Sequence, residues 1–115
     1  MDNRVFKIET RDNWHENASI GKYFGSTLDK KDGFIHLSTL SQLGQTLSLY
    51  FAEIKNLIIV EIYADYYGDL MKWELSRGGA LFPHLYGELV FESVRKIYDV
   101  EYIDGISQIP MELRI

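Results

Sequence analysis

The apolar positions of this chain recur with a period of two in some stretches and of three to four in others, which sorts it into short strands and a few helices. From Val5 to Glu9 the side chains alternate, with Val5 and Lys7 facing opposite to Phe6 and Ile8, as in a short strand. Thr10 is placed to cap a helix, in which Trp14 and Ala18 share a face, Asp12 suits the first turn and Gly21 the stop. Lys22 to Lys31, rich in Gly, Ser, Asp and Lys, reads as a loop anchored by Tyr23 and Phe24. After an Asp32-Gly33 turn, Ile35 and Leu37 point one way and Phe34, His36 and Ser38 the other. Thr39-Leu40-Ser41-Gln42 has the spacing of a capping box. Leu40, Leu43, Leu47 and Phe51 then form an apolar stripe opposite Ser41, Gln45 and Ser48, so this helix should bury one side, ending where Asn56 breaks it.

Leu57 to Tyr63 is almost continuously apolar and rich in Ile and Val, the pattern of a central strand covered on both faces. Past a turn at Tyr66 to Asp69, Leu70 to Leu75 alternates, sending Met71, Trp73 and Leu75 to one side and Lys72 and Glu74 to the other. If the Trp73 side is core, Glu74 looks into a cleft or into open space. Ser76 to Ala80 reads as loop, and Pro83 holds Phe82 extended. Leu89 to Phe91 and Val94 to Tyr102 are later strands, Asp104-Gly105 is a turn, and the tail from Pro110 carries no assignment. Short strands with two intervening helices predict an α+β fold rather than a doubly wound sheet, and 115 residues fit a single domain, residues 1–115.

Composition sharpens this by exclusion. With 46% apolar residues the chain can build a core without staples, and the absence of cysteine rules out disulfides, a thiolate nucleophile and thiolate-held metals. No apolar run approaches the ~20 residues of a membrane span, and the start lacks a signal-peptide pattern, so a cytoplasmic, membrane-free location is expected. A net charge of -5 argues against broad nucleic-acid binding but leaves room for a local basic spot that holds one small anion.

Ionisable and aromatic side chains concentrate between Trp73 and Gly87, the density expected of a segment lining a cleft. Arg77 before Gly78-Gly79 suits a phosphate, with a planar donor fork and backbone amides free to approach; the plainer reading is a solvated loop charge. His84 and Tyr86 share a face of an extended segment and either edge one pocket or pack as core. Ser38 and Thr39 read as strand-end and capping groups rather than nucleophiles, and without a G-x-S-x-G turn a serine hydrolase is not expected. His36, His84 and Glu74 lack local ligand spacing, so no metal is expected.

The strings Asp32-Gly33-Phe34-Ile35-His36-Leu37-Ser38-Thr39, Gln42, Thr46, Trp73-Glu74, Ser76-Arg77-Gly78-Gly79 and Phe82-Pro83-His84-Leu85-Tyr86-Gly87 resemble a bacterial family known as domain of unknown function 952, over residues 6–100. The resemblance implies an ADP-ribosyltransferase-like fold: a small split antiparallel β-structure with two or three flanking helices, gripping NAD as substrate in a central cleft. His36-Leu37-Ser38-Thr39 is similar to the strand that holds the ribose of NAD in that wider group, with Leu37 where a small residue is usual. The implied catalytic residues are His36, Glu74 and His84, and the implied ligand contacts are His36, Ser38, Thr39, Arg77 and Tyr86, with Tyr86 stacking on a flat ring. Glu74 would stabilise the positive charge that develops on ribose as a glycosidic carbon–nitrogen bond breaks, or take a proton from an acceptor. It is otherwise an exposed strand acid pairing with Lys72 or Arg77. ADP-ribosyl transfer or NAD cleavage is the sharper expectation; the alternative is a non-catalytic module for a small anion or a protein partner.

Overall fold

The computed structural model describes residues 3–17 and 21–114. Ala18, expected to share a face with Trp14, lies outside them. The described chain is a mixed α+β structure with antiparallel pairing throughout. Its strands are β1 (Arg4–Thr10), β2 (Lys22–Tyr23), β3 (Ile35–His36), β4 (Leu57–Tyr63), β5 (Met71–Leu75), β6 (Leu81–Leu85), β7 (Leu89–Val90), β8 (Val94–Asp99), β9 (Tyr102–Ile103) and β10 (Ile106–Ser107). Its helices are α1 (Arg11–Glu16), α2 (Thr27–Asp32) and α3 (Leu40–Tyr50).

One sheet has the order β1-β4-β8. Strand β4 is buried from Leu57 to Ile62 because both of its faces are covered. Val5, Ile58, Val60 and Ile62 pack with Trp14, Tyr23, Ile35 and Leu85 on one side. Phe6, Ile8, Leu57 and Ile59 meet Leu43 and Leu47 of α3 on the other. Each such fully buried aliphatic side chain contributes about 1.5–3 kcal/mol. A second sheet has the order β3-β6-β5, with Ile35, Leu85 and Met71 in one cross-strand row and His36, His84 and Lys72 in the next. The two sheets are joined where Phe6 and Ser38 exchange backbone hydrogen bonds of 2.8 and 2.9 Å.

Several boundaries differ from the sequence reading. Residues 22–31 are not a loop: Lys22–Tyr23 pairs with β7, and Ser26 opens α2 through a capping box with Asp29. Helix α3 ends at Tyr50, before Asn56, whose φ of 62° instead turns the chain into β4. The Trp73 side of β5 is only partly core; β5 is an edge strand, and Met71 is buried while Trp73 is 45% and Leu75 73% exposed. The expected strand from Val94 to Tyr102 breaks after Asp99, and Tyr102–Ile103 pairs with β10 across the left-handed Asp104-Gly105 turn. Strand β7 stops at Val90 because Phe91–Ser93 forms a 3-10 turn. In the tail, another 3-10 turn at Met111–Leu113 docks Leu113 into the core. No helix among the described residues is long and apolar enough to cross a membrane.

Candidate functional site

The period of two sends the apolar row of the second sheet inward and leaves the row containing His36 and His84 on the opposite face. That face borders a hollow of about 650 Å³ whose wall also includes Phe6 and Lys7 of β1, Leu28 and Asp29 of α2, Thr46 and Tyr50 of α3, and Arg77. The volume falls within the roughly 300–1,000 Å³ usual for small-molecule sites.

Asp29 organises one end. Its side chain is buried, and its Oδ1 accepts from the His36 backbone N–H (3.1 Å) and lies 2.6 Å from His36 Nδ1. Oδ2 accepts from Lys7 Nζ at 2.7 Å and the Ser26 backbone N–H at 2.9 Å. Burial pushes this carboxyl up, but the His36 hydrogen bond and the Lys7 charge and hydrogen bond outweigh it and hold the group well below the usual carboxylate range. Lys7 also donates to the His36 carbonyl at 3.2 Å. The other ring nitrogen of His36, Nε2, lies 3.0 Å from Asp32 Oδ2. Both nitrogens of His36 therefore face carboxylates. Neither ring nitrogen is left without a protein partner for the ribose contact that the resemblance implies for His36.

His84 is held differently. Its ring stacks on Phe34 at 4.1 Å and 23°, its edge meets His36 at 5.6 Å, and its Nδ1 lies 2.8 Å from Glu74 Oε1. The same Oε1 accepts the Tyr86 hydroxyl at 2.8 Å. Hydrogen bonds from His84 first and Tyr86 second keep the Glu74 carboxyl below its ordinary range, and the bond to Glu74 pushes the Tyr86 phenol up. Neither Glu74 nor Tyr86 lines the hollow. They stand behind His84, and Tyr86 packs on Phe34 with centroids 5.2 Å apart.

At the far end Arg77 lies over the rings of Phe82 (4.9 Å) and Tyr50 (5.6 Å) and donates to Thr46 Oγ1 at 3.1 Å. It makes no ion pair among the described residues. Thr46 Oγ1 also accepts from Ser38 Oγ and donates to the Gln42 carbonyl, both at 3.1 Å. Of the glycine pair after Arg77, the Gly79 N–H bonds the Ser76 carbonyl and so closes its own turn, as the Ala80 N–H does with the Arg77 carbonyl, while the Gly78 N–H makes no backbone hydrogen bond of this kind among the described residues. Thr39 is the cap of α3, exchanging hydrogen bonds with Gln42, and does not line the hollow.

Of the expected site residues, His36, Ser38, Arg77 and His84 share the hollow. Sequence reasoning missed Lys7, Asp29, Asp32 and Tyr50. The signals were present in part: Ser26 and Asp29 have capping spacing, and Lys7 interrupts the apolar run from Val5 to Ile8.

These features define an antiparallel α+β protein with a ligand-sized hollow between two sheets. The family model described as Protein of unknown function (DUF952) matches residues 8–97, and the chain belongs to that family. Protein CC0527 from Caulobacter crescentus is 38% identical, and its crystal structure aligns with a TM-score of 0.91 over 96% of this chain and 97% of that one. A double-methionine variant of CC0527 gives 0.90 over the same shares of both chains. The solution structure of CC0527 gives 0.82 over 93% of each chain. No curated protein matches the chain.

Proposed function

We propose that the hollow binds a small phosphorylated ligand of the nucleotide type, NAD first among them, on a fold related to that of the ADP-ribosyltransferases. The observation that carries this is the presence of an arginine without a carboxylate partner and an imidazole on one largely apolar wall. Of the charged groups on that wall, Lys7 and Asp29 neutralise each other, so Arg77 supplies the uncompensated charge. A guanidinium held against two aromatic faces is pre-organised for a phosphate, and the apolar remainder suits a base or a nicotinamide ring. ADP-ribosyl transfer or NAD cleavage is the chemical form of this reading.

Calorimetric titration with NAD, ADP-ribose and AMP tests it. Saturable binding below the millimolar range is expected, weakened about tenfold or more in Arg77→Gln, since a hydrogen bond to a charged group is worth about 1.5–3 kcal/mol. No saturable binding by any of the three would remove the proposal.

One observation favours a second reading, a non-catalytic module for a small anion or a protein partner. The carboxylate on the wall, Asp29, is fully engaged, and Glu74 lies behind His84, so direct stabilisation of a ribosyl cation lacks a free acid. Released nicotinamide after incubation with NAD selects the enzyme; ligand-induced thermal stabilisation without turnover selects the module.

A further inference from the structure

We infer that His84 is a general base whose Nε2 faces the hollow, and that Glu74 and Tyr86 are the residues that position it. The inference rests on reading the hollow as a ligand site and assigns the group there that moves a proton.

An ionised carboxylate only accepts hydrogen bonds, so the 2.8 Å contact between Glu74 Oε1 and His84 Nδ1 puts a hydrogen on Nδ1. In the neutral ring the lone pair is then on Nε2. The backbone of His84 is fixed in the central strand of its sheet, its side chain is 7% exposed, and Phe34 stacks on one face of the ring, so rotation that would exchange the two nitrogens is blocked. Nε2 has no protein partner among the described residues, although His84 lines the hollow. His36 cannot take this part, because Asp29 and Asp32 occupy both of its nitrogens. The Tyr86 hydroxyl, bonded to the same Oε1, holds the carboxylate in place. Glu74 thus acts through His84: it fixes the tautomer and steadies the imidazolium once a proton arrives.

With NAD in the hollow the step balances as follows. A water or acceptor hydroxyl forms a bond to the ribosyl carbon and gives its proton to Nε2. The carbon–nitrogen bond to nicotinamide breaks, its electron pair leaves with the ring, and nicotinamide departs neutral. The imidazolium returns its proton to solvent.

Two measurements on the intact protein test the assignment without needing a substrate. In nitrogen-15 NMR of the histidine rings, neutral His84 should show a protonated Nδ1 and an unprotonated Nε2, and Glu74→Gln should mix the tautomers. A proton on Nε2 in the wild type, or no change in Glu74→Gln, overturns the inference. Diethyl pyrocarbonate followed by mass spectrometry should modify His84, and pyrophosphate or NAD should slow that modification at least several-fold, with exposed His15 as the reference. Modification of His15 alone overturns it. If NAD is turned over, His84→Gln should lower kcat by about 10²–10⁴, and Glu74→Gln should move the acidic limb of the pH profile; unchanged values overturn the base. If His84 behaves as stated and no nucleotide binds, the base stands and the NAD reading falls. If NAD binds and His84 carries the wrong tautomer, the reverse holds.

Discussion

Asp29 spends both carboxylate oxygens on four donors drawn from β1, β3 and its own helix cap, which makes it the residue on which the site's local order depends. Asp29→Asn would leave the Lys7 ammonium buried without its counter-charge, and breaking such a pair costs about 3–5 kcal/mol. Urea unfolding near neutral pH should show that loss. The sign of the pH effect follows from the direction of the shift. Because the folded carboxyl titrates below its ordinary 3.8, its contribution is complete above that value and is lost as pH falls toward the folded one. Wild type and Asp29→Asn should therefore converge in stability on acidification below 3.8; a constant gap would contradict the assignment. Single residues were legible where chemistry sits close in sequence, as with Thr39 and Gln42 capping α3. Asp29 was not, because its partners Lys7 and His36 come to it from distant strands, and no local spacing announces a pairing made by the fold.

Among the elements, α2 is the one with the least sequence signal. It has six residues, no apolar stripe, and Leu28 55% exposed, so it is held by its caps and by Asp29 rather than by a buried face. Helix α3, by contrast, announces itself through a capping box and the stripe of Leu43 and Leu47. The cap of α2 offers a sharp comparison. Gly25 and Gly33 both have positive φ, but a Cβ on Gly25 would lie 2.6 Å from the Asp29 Cβ, whereas one on Gly33 meets nothing within 4 Å. Gly33→Ala should cost only the backbone strain, about 1–2 kcal/mol. Gly25→Ala should cost clearly more and also disturb the Asp29 hydrogen bonds. Thermal melting of the two variants checks this, and equal losses would show that the contact is relieved elsewhere.

At the scale of the molecule, stability is concentrated in the first sheet, where β4 is covered on both faces, and thins toward the two-residue ladders of β9–β10 and β2–β7. Amide hydrogen exchange should find Ile58 to Ile62 the slowest and the β9–β10 hairpin among the fastest. The broad α+β outline was legible because β1 alternates, α3 carries a helical stripe and β4 is a nearly unbroken apolar run. The division into two three-stranded sheets was not legible from local pattern, on which neither the edge position of β5 nor the brevity of β3 leaves a mark; only the family resemblance implied a split β-structure. Among the described residues the strands of the two sheets pair at one place, Phe6 with Ser38, and both residues also border the hollow. That link therefore sits where the frame of the molecule meets the hollow, so a guest seated there would lie beside both hydrogen bonds that tie one sheet to the other.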